Sequence, residues 1–383
     1  MKWIEIYKKM SNYYKNFAVI VLNFVLMVLL IESIAYILLY IDDNYFDNIG
    51  VIPGYKNYTW TKILYKEMRS SGKVKTEPYL MYRLTGYNGV TINVSEEGIR
   101  KTYYSRCDSN NSVKIFIFGG STTYGHGVPD WYTIPSLLAK KLNENNEKQY
   151  CVINYGQLGY VSFQEVILLI NEIKKGNIPD YVIFYDGVNE VFMAYRSGTA
   201  EYPEYFDKYR LMLDSGLLGA LYVSFYNSKS ARILDYILKK ISSNKIGVYY
   251  SWELLDQHYT NESFNKLSFD IINSYITNVN IVRDLAIRYN FTPIFIWQPS
   301  LLNGHKNMTI YEKDIYNRWE SNIKLLTLAC ESKIKSYKGI YYIGDIFENV
   351  SETVYWDQAH LNPTGNIIVA NQIYKIFKEV EKR

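Results

Sequence analysis

Val113-Lys-Ile-Phe-Ile-Phe-Gly-Gly-Ser-Thr-Thr-Tyr-Gly-His-Gly-Val128 decides how the rest of the chain is read. Val113–Phe118 is a short apolar run with the length and β-branched and aromatic content of a buried strand. Gly119 and Gly120 let the backbone turn sharply and let another group come close. Ser121 then sits on a tight turn at the carboxyl edge of a sheet, where open α/β sheets carry their chemistry.

Working outward, strand and helix patterns alternate. Strands are expected at Val113–Phe118, Tyr150–Asn154, Tyr181–Tyr185, Thr292–Trp297 and Ile340–Ile343. Helices are expected near Thr133–Asn143, Ser162–Lys174, Phe269–Tyr289 and Pro363–Val380. In the second, Val166, Leu169, Ile170 and Ile173 share one face. Five short apolar strands separated by helices imply an α/β protein: a three-layer α/β/α domain with a central parallel sheet of about five strands. Residues 195–261 interrupt this rhythm and exceed an ordinary connection. Leu217–Tyr226 and Ala231–Ile241 are amphipathic there, so a helical insertion is expected, with a lid over the sheet edge as its functional reading.

Three further blocks follow predicted strands or sit near the C-terminus: Asn154-Tyr-Gly-Gln-Leu-Gly159, Tyr185-Asp-Gly-Val-Asn-Glu190 and Asp357-Gln-Ala-His360. With the serine block they stand in the chain order of the SGNH (GDSL-type) hydrolases, which the chain resembles from about Ser112 to the C-terminus. Gly120 stands where the family often has aspartate, and the third block ends Asn-Glu rather than Asn-Asp. The resemblance implies an SGNH/flavodoxin-like sheet and a catalytic triad of Ser121, His360 and Asp357. Its implied oxyanion hole comprises the backbone N–H of Ser121, the backbone N–H of Gly156 and the side-chain amide of Asn189. It implies neither metal nor organic cofactor. A serine hydroxyl needs a base within hydrogen-bond reach and the base needs an orienting partner, which is why these residue types occur together. His126 lies five residues past the serine and is expected to pack in the loop. Glu190, next to Asn189, is read either as shaping the pocket or as a helix-start carboxylate. Tyr124, Tyr155, Trp356 and Trp297-Gln298 neighbour the motifs and could stack on a sugar ring.

The 383-residue chain carries a net charge of +4, which gives no argument for nucleic-acid binding. Its one long apolar run is Phe17–Ile41. As a helix it would span about 37 Å, enough for a bilayer core of about 30 Å. No small-residue cleavage site follows, so a retained transmembrane anchor is expected. Lys2, Lys8, Lys9 and Lys15 precede it and Asp42, Asp43 and Asp47 follow it. The positive-inside rule then makes residues 1–16 a cytoplasmic tail and places the catalytic domain outside the inner (plasma) membrane. Glu32 lies within the span, where a carboxylate is costly and either snorkels, is protonated or meets a polar group of another membrane protein. Residues 42–110 are expected to be a membrane-proximal β-rich segment packed on the domain of residues 111–383. Within it, Glu97-Gly-Ile-Arg100 resembles an element that precedes the serine strand in membrane-anchored relatives. Cys107, Cys151 and Cys330 show no metal-ligand spacing and no disulfide framework, and Cys151 reads as a small core residue.

The sequence thus points to an extracytoplasmic serine esterase acting through an acyl-serine on an acyl or acetyl ester of a glycan or envelope polymer. Two alternatives stand beside it: an O-acyltransferase of the same fold working with a polytopic membrane acyltransferase, and a non-catalytic glycan-binding scaffold.

Overall fold

The computed structural model describes residues 2–45, 52–107, 111–144, 148–219, 228, 230, 231, 233 and 261–383. The chain divides into two units, residues 1–47 with 207–251, and residues 48–206 with 252–383.

In the first unit, helix α1 runs over Lys2–Tyr45 and includes an apolar stretch, Ile6–Leu38, long enough to cross a membrane. Its large apolar side chains, from Phe17 to Leu38, are exposed, while Ala35 is buried. Residues 207–251 belong with this helix, and most of Leu217–Tyr226 and Ala231–Ile241 lies outside the described residues.

The second unit opens with α2 (Thr61–Ser71), β1 (Val74–Glu77), β2 (Met81–Leu84), β3 (Tyr87–Asn88) and β4 (Asn93–Val94). The segment before β5, expected to be β-rich, therefore contains a helix that alternation in its strands did not reveal. Glu67 of α2 ties the helix to the following hairpin, accepting from the backbone N–H groups of Val90, Thr91 and Ile92 and from the Thr91 hydroxyl. Burial opposes ionisation of Glu67, but those donors outweigh it and hold its pKa below the usual carboxylate value.

The central sheet and its layers follow as β5 (Val113–Gly119), α3 (Ser121–Tyr124), α4 (Ile134–Asn143), β6 (Tyr150–Asn154), α5 (Ser162–Lys174), β7 (Tyr181–Asp186) and α6 (Val188–Ser197). After α7 (Phe206–Asp214) come α8 (Asn261–Tyr289), β8 (Thr292–Trp297), α9 (Ile310–Arg318), α10 (Ser321–Ile334), β9 (Ile340–Tyr342) and α11 (Pro363–Glu381). The strands β5 to β9 pair in parallel in the order β6-β5-β7-β8-β9. That is the doubly wound order with its switch point between β5 and β7. It is the three-layer α/β/α arrangement expected from the sequence.

Alternation along each strand builds the two layers. Phe116, Phe118, Val182, Phe184 and Phe295 face one way and pack with residues of α5, α8 and α10, including Leu169, Tyr275 and Leu326. Ile115, Ile117, Ile183, Tyr185, Ile294 and Ile296 face the other way, onto Leu138 and Leu142 of α4 and Val369, Ile373 and Phe377 of α11. Burying both faces suits strands that read as continuous apolar runs.

One expectation about sulfur is corrected. Cys107 and Cys151 form a disulfide, with Cα atoms 4.5 Å apart, and Cys330 alone is free and buried. The bond joins the segment before β5 to the start of β6, 44 residues apart. The chain brings these two thiols together only through the parallel pairing of β5 and β6.

Candidate active site

β5 delivers its residues to the carboxyl edge of the sheet, where Gly119 lies opposite Tyr185 of β7. A methyl group at Gly119 would lie 2.1 Å from Thr123 Oγ1 and 2.7 Å from the Tyr185 carbonyl oxygen. At Gly120 it would lie 2.2 Å from Asn189 Nδ2. Both glycines are therefore set by close approach: the serine turn presses against the loop that carries Asn189. Ser121 begins α3, and its carbonyl accepts from the N–H groups of both Gly125 and His126.

His360 reaches Ser121 from the other end of the chain. Its Nε2 lies 2.7 Å from Ser121 Oγ, and its Nδ1 lies 2.5 Å from Asp357 Oδ2. The second carboxylate oxygen of Asp357 accepts from the backbone N–H groups of Ala359, at 2.9 Å, and His360, at 2.7 Å. Burial alone would raise the Asp357 pKa. The adjoining imidazole and these hydrogen bonds outweigh it and hold the group below its ordinary value, so Asp357 remains ionised. The turn is fixed from outside by Tyr311, whose hydroxyl donates to the Trp356 carbonyl, and by the Gln358 carbonyl, which accepts from Leu301 N–H. Asn362 caps α11 by accepting from Gly365 N–H.

His126 packs beside His360, with ring centroids 4.9 Å apart, while Trp356 stacks 5.5 Å from His360 on a nearly parallel plane. Burial first, and then the neighbouring His360, pull the His126 pKa down to about 3. His126 is therefore a neutral ring flanking the base. The loop it belongs to is held by Arg100. This fully buried guanidinium pairs with Asp130 at 3.0 Å and donates to the carbonyls of Tyr124, Gly125 and Val128 at 3.1, 2.7 and 2.8 Å. Tyr55, from the segment before α2, donates to the Gly127 carbonyl at 3.0 Å. Nothing in the Gly98-Ile99-Arg100 sequence marks its arginine as a clamp.

Asn189 stands in the first turn of α6. Its Nδ2 donates to the Tyr160 carbonyl at 2.7 Å, which leaves the second amide hydrogen for another acceptor. Glu190 accepts from Gly187 N–H and from Ser162 N–H, both at 2.7 Å. It behaves as the helix-start carboxylate expected, and it also links the Asn189 loop to α5. Gly187 is at φ +125°, and a methyl group there would lie 2.8 Å from the Trp297 indole.

Gly156 takes a place different from the one expected. Its N–H donates to Asn154 Oδ1 at 2.9 Å, so that hydrogen is already spent inside the loop. A methyl group there would lie 2.2 Å from Tyr124 N, which makes glycine a packing requirement against the end of α3. Gly159, three residues on, adopts φ +72° immediately before Tyr160, whose carbonyl holds Asn189. No local periodicity separates these two glycines.

The sugar-stacking expectation fails for three aromatic residues. Tyr124, Tyr155 and Trp297 are 1%, 1% and 2% exposed and belong to the core. Tyr155 stacks on Phe118 and donates to Glu172, and Tyr124 lies under the Arg100 guanidinium. Gln298 is also buried, its Oε1 accepting from Thr122 at 2.7 Å. Trp356 alone of the group remains beside the triad. Among the described residues, no group of three His, Cys, Asp or Glu side chains comes together that could hold a metal ion.

No family model and no curated protein matches this chain. Similar solved structures include a member of the lipolytic protein G-D-S-L family from Veillonella parvula DSM 2008, at 12% identity and a TM-score of 0.37, covering 70% of this chain and 99% of that one. An acetyl xylan esterase, AlAXEase, is similar at 14% identity and a TM-score of 0.37, covering 69% and 99%. A lipase/acylhydrolase from Enterococcus faecalis follows at 15% identity and 0.35, covering 70% and 96%. Likeness of that degree leaves the site's own geometry to decide what the chain does.

Proposed function

We propose that the chain is a membrane-anchored serine esterase of the SGNH type, and the observation that carries this reading is the Ser121–His360–Asp357 contact. Ser121 Oγ attacks an ester carbonyl carbon as its proton passes to His360 Nε2. Asp357 accepts the Nδ1–H and stabilises the imidazolium. The tetrahedral intermediate collapses when the alkoxide leaving group takes the Nε2 proton, which leaves an acyl-serine. Water, deprotonated by the same nitrogen, then attacks the acyl carbon and releases the acid. The oxyanion donors in this reading are the Ser121 N–H, the free hydrogen of Asn189 Nδ2 and the Gly159 N–H. Gly159 replaces Gly156 because Gly156 donates to Asn154. Each preorganised donor is typically worth about 3–4 kcal/mol of transition-state stabilisation.

The acyl group is small in this proposal. A small cavity of about 20 Å³, lined by residues that include Gly187, Val188, Phe192, Gln298 and Gln358, neighbours of Asn189 and Asp357 in the chain, is the acyl site in this proposal, and its size suits acetyl better than a long chain. The partly exposed aromatic set Tyr58, Trp60 and Tyr132, with ring centroids 4.7–6.1 Å apart and Tyr58 stacked on Trp60, favours a glycan as the carrier of that ester. The Cys107–Cys151 disulfide favours an oxidising compartment for this unit, in keeping with an anchor whose lysine-rich N-terminus stays in the cytoplasm. Complete serine, base and carboxylate contacts argue against a scaffold role.

The test is covalent labelling with a fluorophosphonate probe, wild type beside Ser121→Ala, followed by hydrolysis of an activated aryl acetate. Labelling and acetate release that both require Ser121 support the proposal. Equal labelling of the variant, or a folded wild type that neither labels nor turns over, refutes it.

A further inference from the structure

Three buried acids meet behind the loop that carries Asn189. Asp186, the last residue of β7, is 2% exposed, Glu165 in the first turn of α5 is 1% exposed, and Glu190 of α6 is 5% exposed. Glu190 is supplied with two backbone donors, the N–H groups of Gly187 and Ser162, each at 2.7 Å. Asp186 and Glu165 lie against each other without such help. Among the described residues, no N–H or O–H makes a well-directed hydrogen bond to either Asp186 oxygen or to Glu165 Oε2. The hydroxyl of Tyr275, from α8, stands beside Asp186 and is equally without a well-directed partner.

A buried carboxylate needs donors or a cation, and two of them side by side also repel. The titratable groups facing the pair are Glu190 from α6 and Tyr275 from α8, with Glu201 and the Cys330 thiol of α10 close to Glu190. None of these carries positive charge. Burial first, and then a neighbouring carboxylate (Asp186 for Glu165, Glu190 for Asp186), push both acids well above the ordinary carboxylate range. The donor that the site needs is thus an acid proton of its own. Asp186 also stands opposite Trp297 in the sheet and directly precedes Gly187, which has no room for a side chain against the Trp297 indole. Tyr275 packs edge-on to the same indole at 5.3 Å. The turn from Asp186 to Asn189 is therefore packed from below, and a displacement at its first residue is passed to its last.

We propose that Asp186 and Glu165 share a proton across a carboxyl–carboxyl contact, and that this pair is the positioning device for the Asn189 amide. Asp186 is a positioning residue in this role and touches no reacting atom. While the proton is held, one carboxyl donates to the other and the turn rests on that bridge. Its loss at alkaline pH leaves two adjacent negative charges in an apolar wall. They separate, Gly187–Asn189 is displaced, and the oxyanion loses a donor. Turnover then falls at high pH, although His360 is in its basic form there. The shared proton is independent of the serine-esterase reading, and the positioning role rests on it.

The experiment takes the full chain in detergent and reads the pair both directly and through turnover. Infrared difference spectra at pH 7, wild type against Asp186→Asn and wild type against Glu165→Gln, should each show a protonated-carboxyl C=O band that shifts in D2O. The kcat on an aryl acetate is followed from pH 7 to pH 10 with spontaneous hydrolysis subtracted. In the wild type the band and kcat should fall together, kcat by about tenfold or more, toward the roughly 10²-fold loss typical of one oxyanion donor, with KM little changed. In both variants an amide supplies the donor and one acid alone remains to ionise, so the alkaline fall should be absent. No such band in either difference spectrum overturns the inference and leaves the esterase reading standing. A wild-type kcat that stays level to pH 10, or variants whose alkaline fall matches the wild type, overturns the positioning role. A folded wild type that shows the band but does not turn over removes the esterase reading and, with it, the role given to the pair.

Discussion

Replacing Arg100 with methionine tests whether the loop beside the triad is built as described. Methionine keeps an unbranched apolar stem and removes the guanidinium. The change leaves Asp130 buried, 2% exposed at its side chain, with only Asn93 donating to it through N–H and Nδ2. It also strips donors from the Gly125 and Val128 carbonyls. Breaking a buried pair by removing one partner costs about 3–5 kcal/mol. At roughly 2 °C per kcal/mol for a domain of this size, the melting temperature should fall by roughly 6–10 °C. The second variant, Arg100→Met with Asp130→Asn, removes the orphaned charge but does not restore the donors lost to the Gly125 and Val128 carbonyls, so it should recover part of that loss and not all. Because residues 124–128 carry His126 against His360, kcat on an aryl acetate should fall in both variants, and Asp130→Asn should not restore it. The assays are thermal unfolding in detergent and steady-state kinetics on the same preparations. An Arg100→Met protein that melts within 2 °C of wild type and keeps its kcat refutes the clamp.

Four other outcomes follow from the same structure. Asn189→Ala should lower kcat by about 10²–10³ with little change in KM, measured on aryl acetate, since its free amide hydrogen is proposed to act only as charge develops. A near-normal kcat with a lowered melting temperature would return Asn189 to a purely structural role. His126, held neutral in the folded state down to about pH 3, binds a proton only on unfolding between that value and its ordinary pKa near 6.5, so stability is lost as pH falls through that window, by about 1.4 kcal/mol per pH unit. His126→Asn should flatten that slope in melting curves taken between pH 7 and pH 4, and an unchanged slope assigns it to other groups. Opening the Cys107–Cys151 loop with Cys107→Ser and Cys151→Ser should cost about 4 kcal/mol for a 44-residue separation, read as a fall in melting temperature, and no shift would deny the bond. Acetyl esters should be turned over faster than butyryl esters of the same phenol, and the reverse order would exclude the small cavity as the acyl site.

The sequence alone determined the layered α/β plan, because strand and helix periodicities are local properties of the chain. All five sheet strands lie within a residue of the boundaries read from apolar runs and turn signals. Ser121, Asp357 and His360, which the structure brings into contact, were legible as candidates because each sits in a short motif at a strand end or loop. What the sequence could not decide were pairings between distant segments. Which of Gly156 and Gly159 has an unspent N–H depends on where Asn154 turns its side chain. Whether Tyr124, Tyr155 and Trp297 face a ligand or the core depends on what packs over them. Cys107 reaches Cys151 only after β5 and β6 pair, Arg100 becomes a clamp only when four groups from Tyr124 to Asp130 close around it, and Glu32 finds Ser230 from 198 residues away. Periodicity records which face of an element is apolar; only the folded chain fixes which partner meets that face, because contacts between remote residues are set by the packing of whole elements rather than by neighbours in sequence.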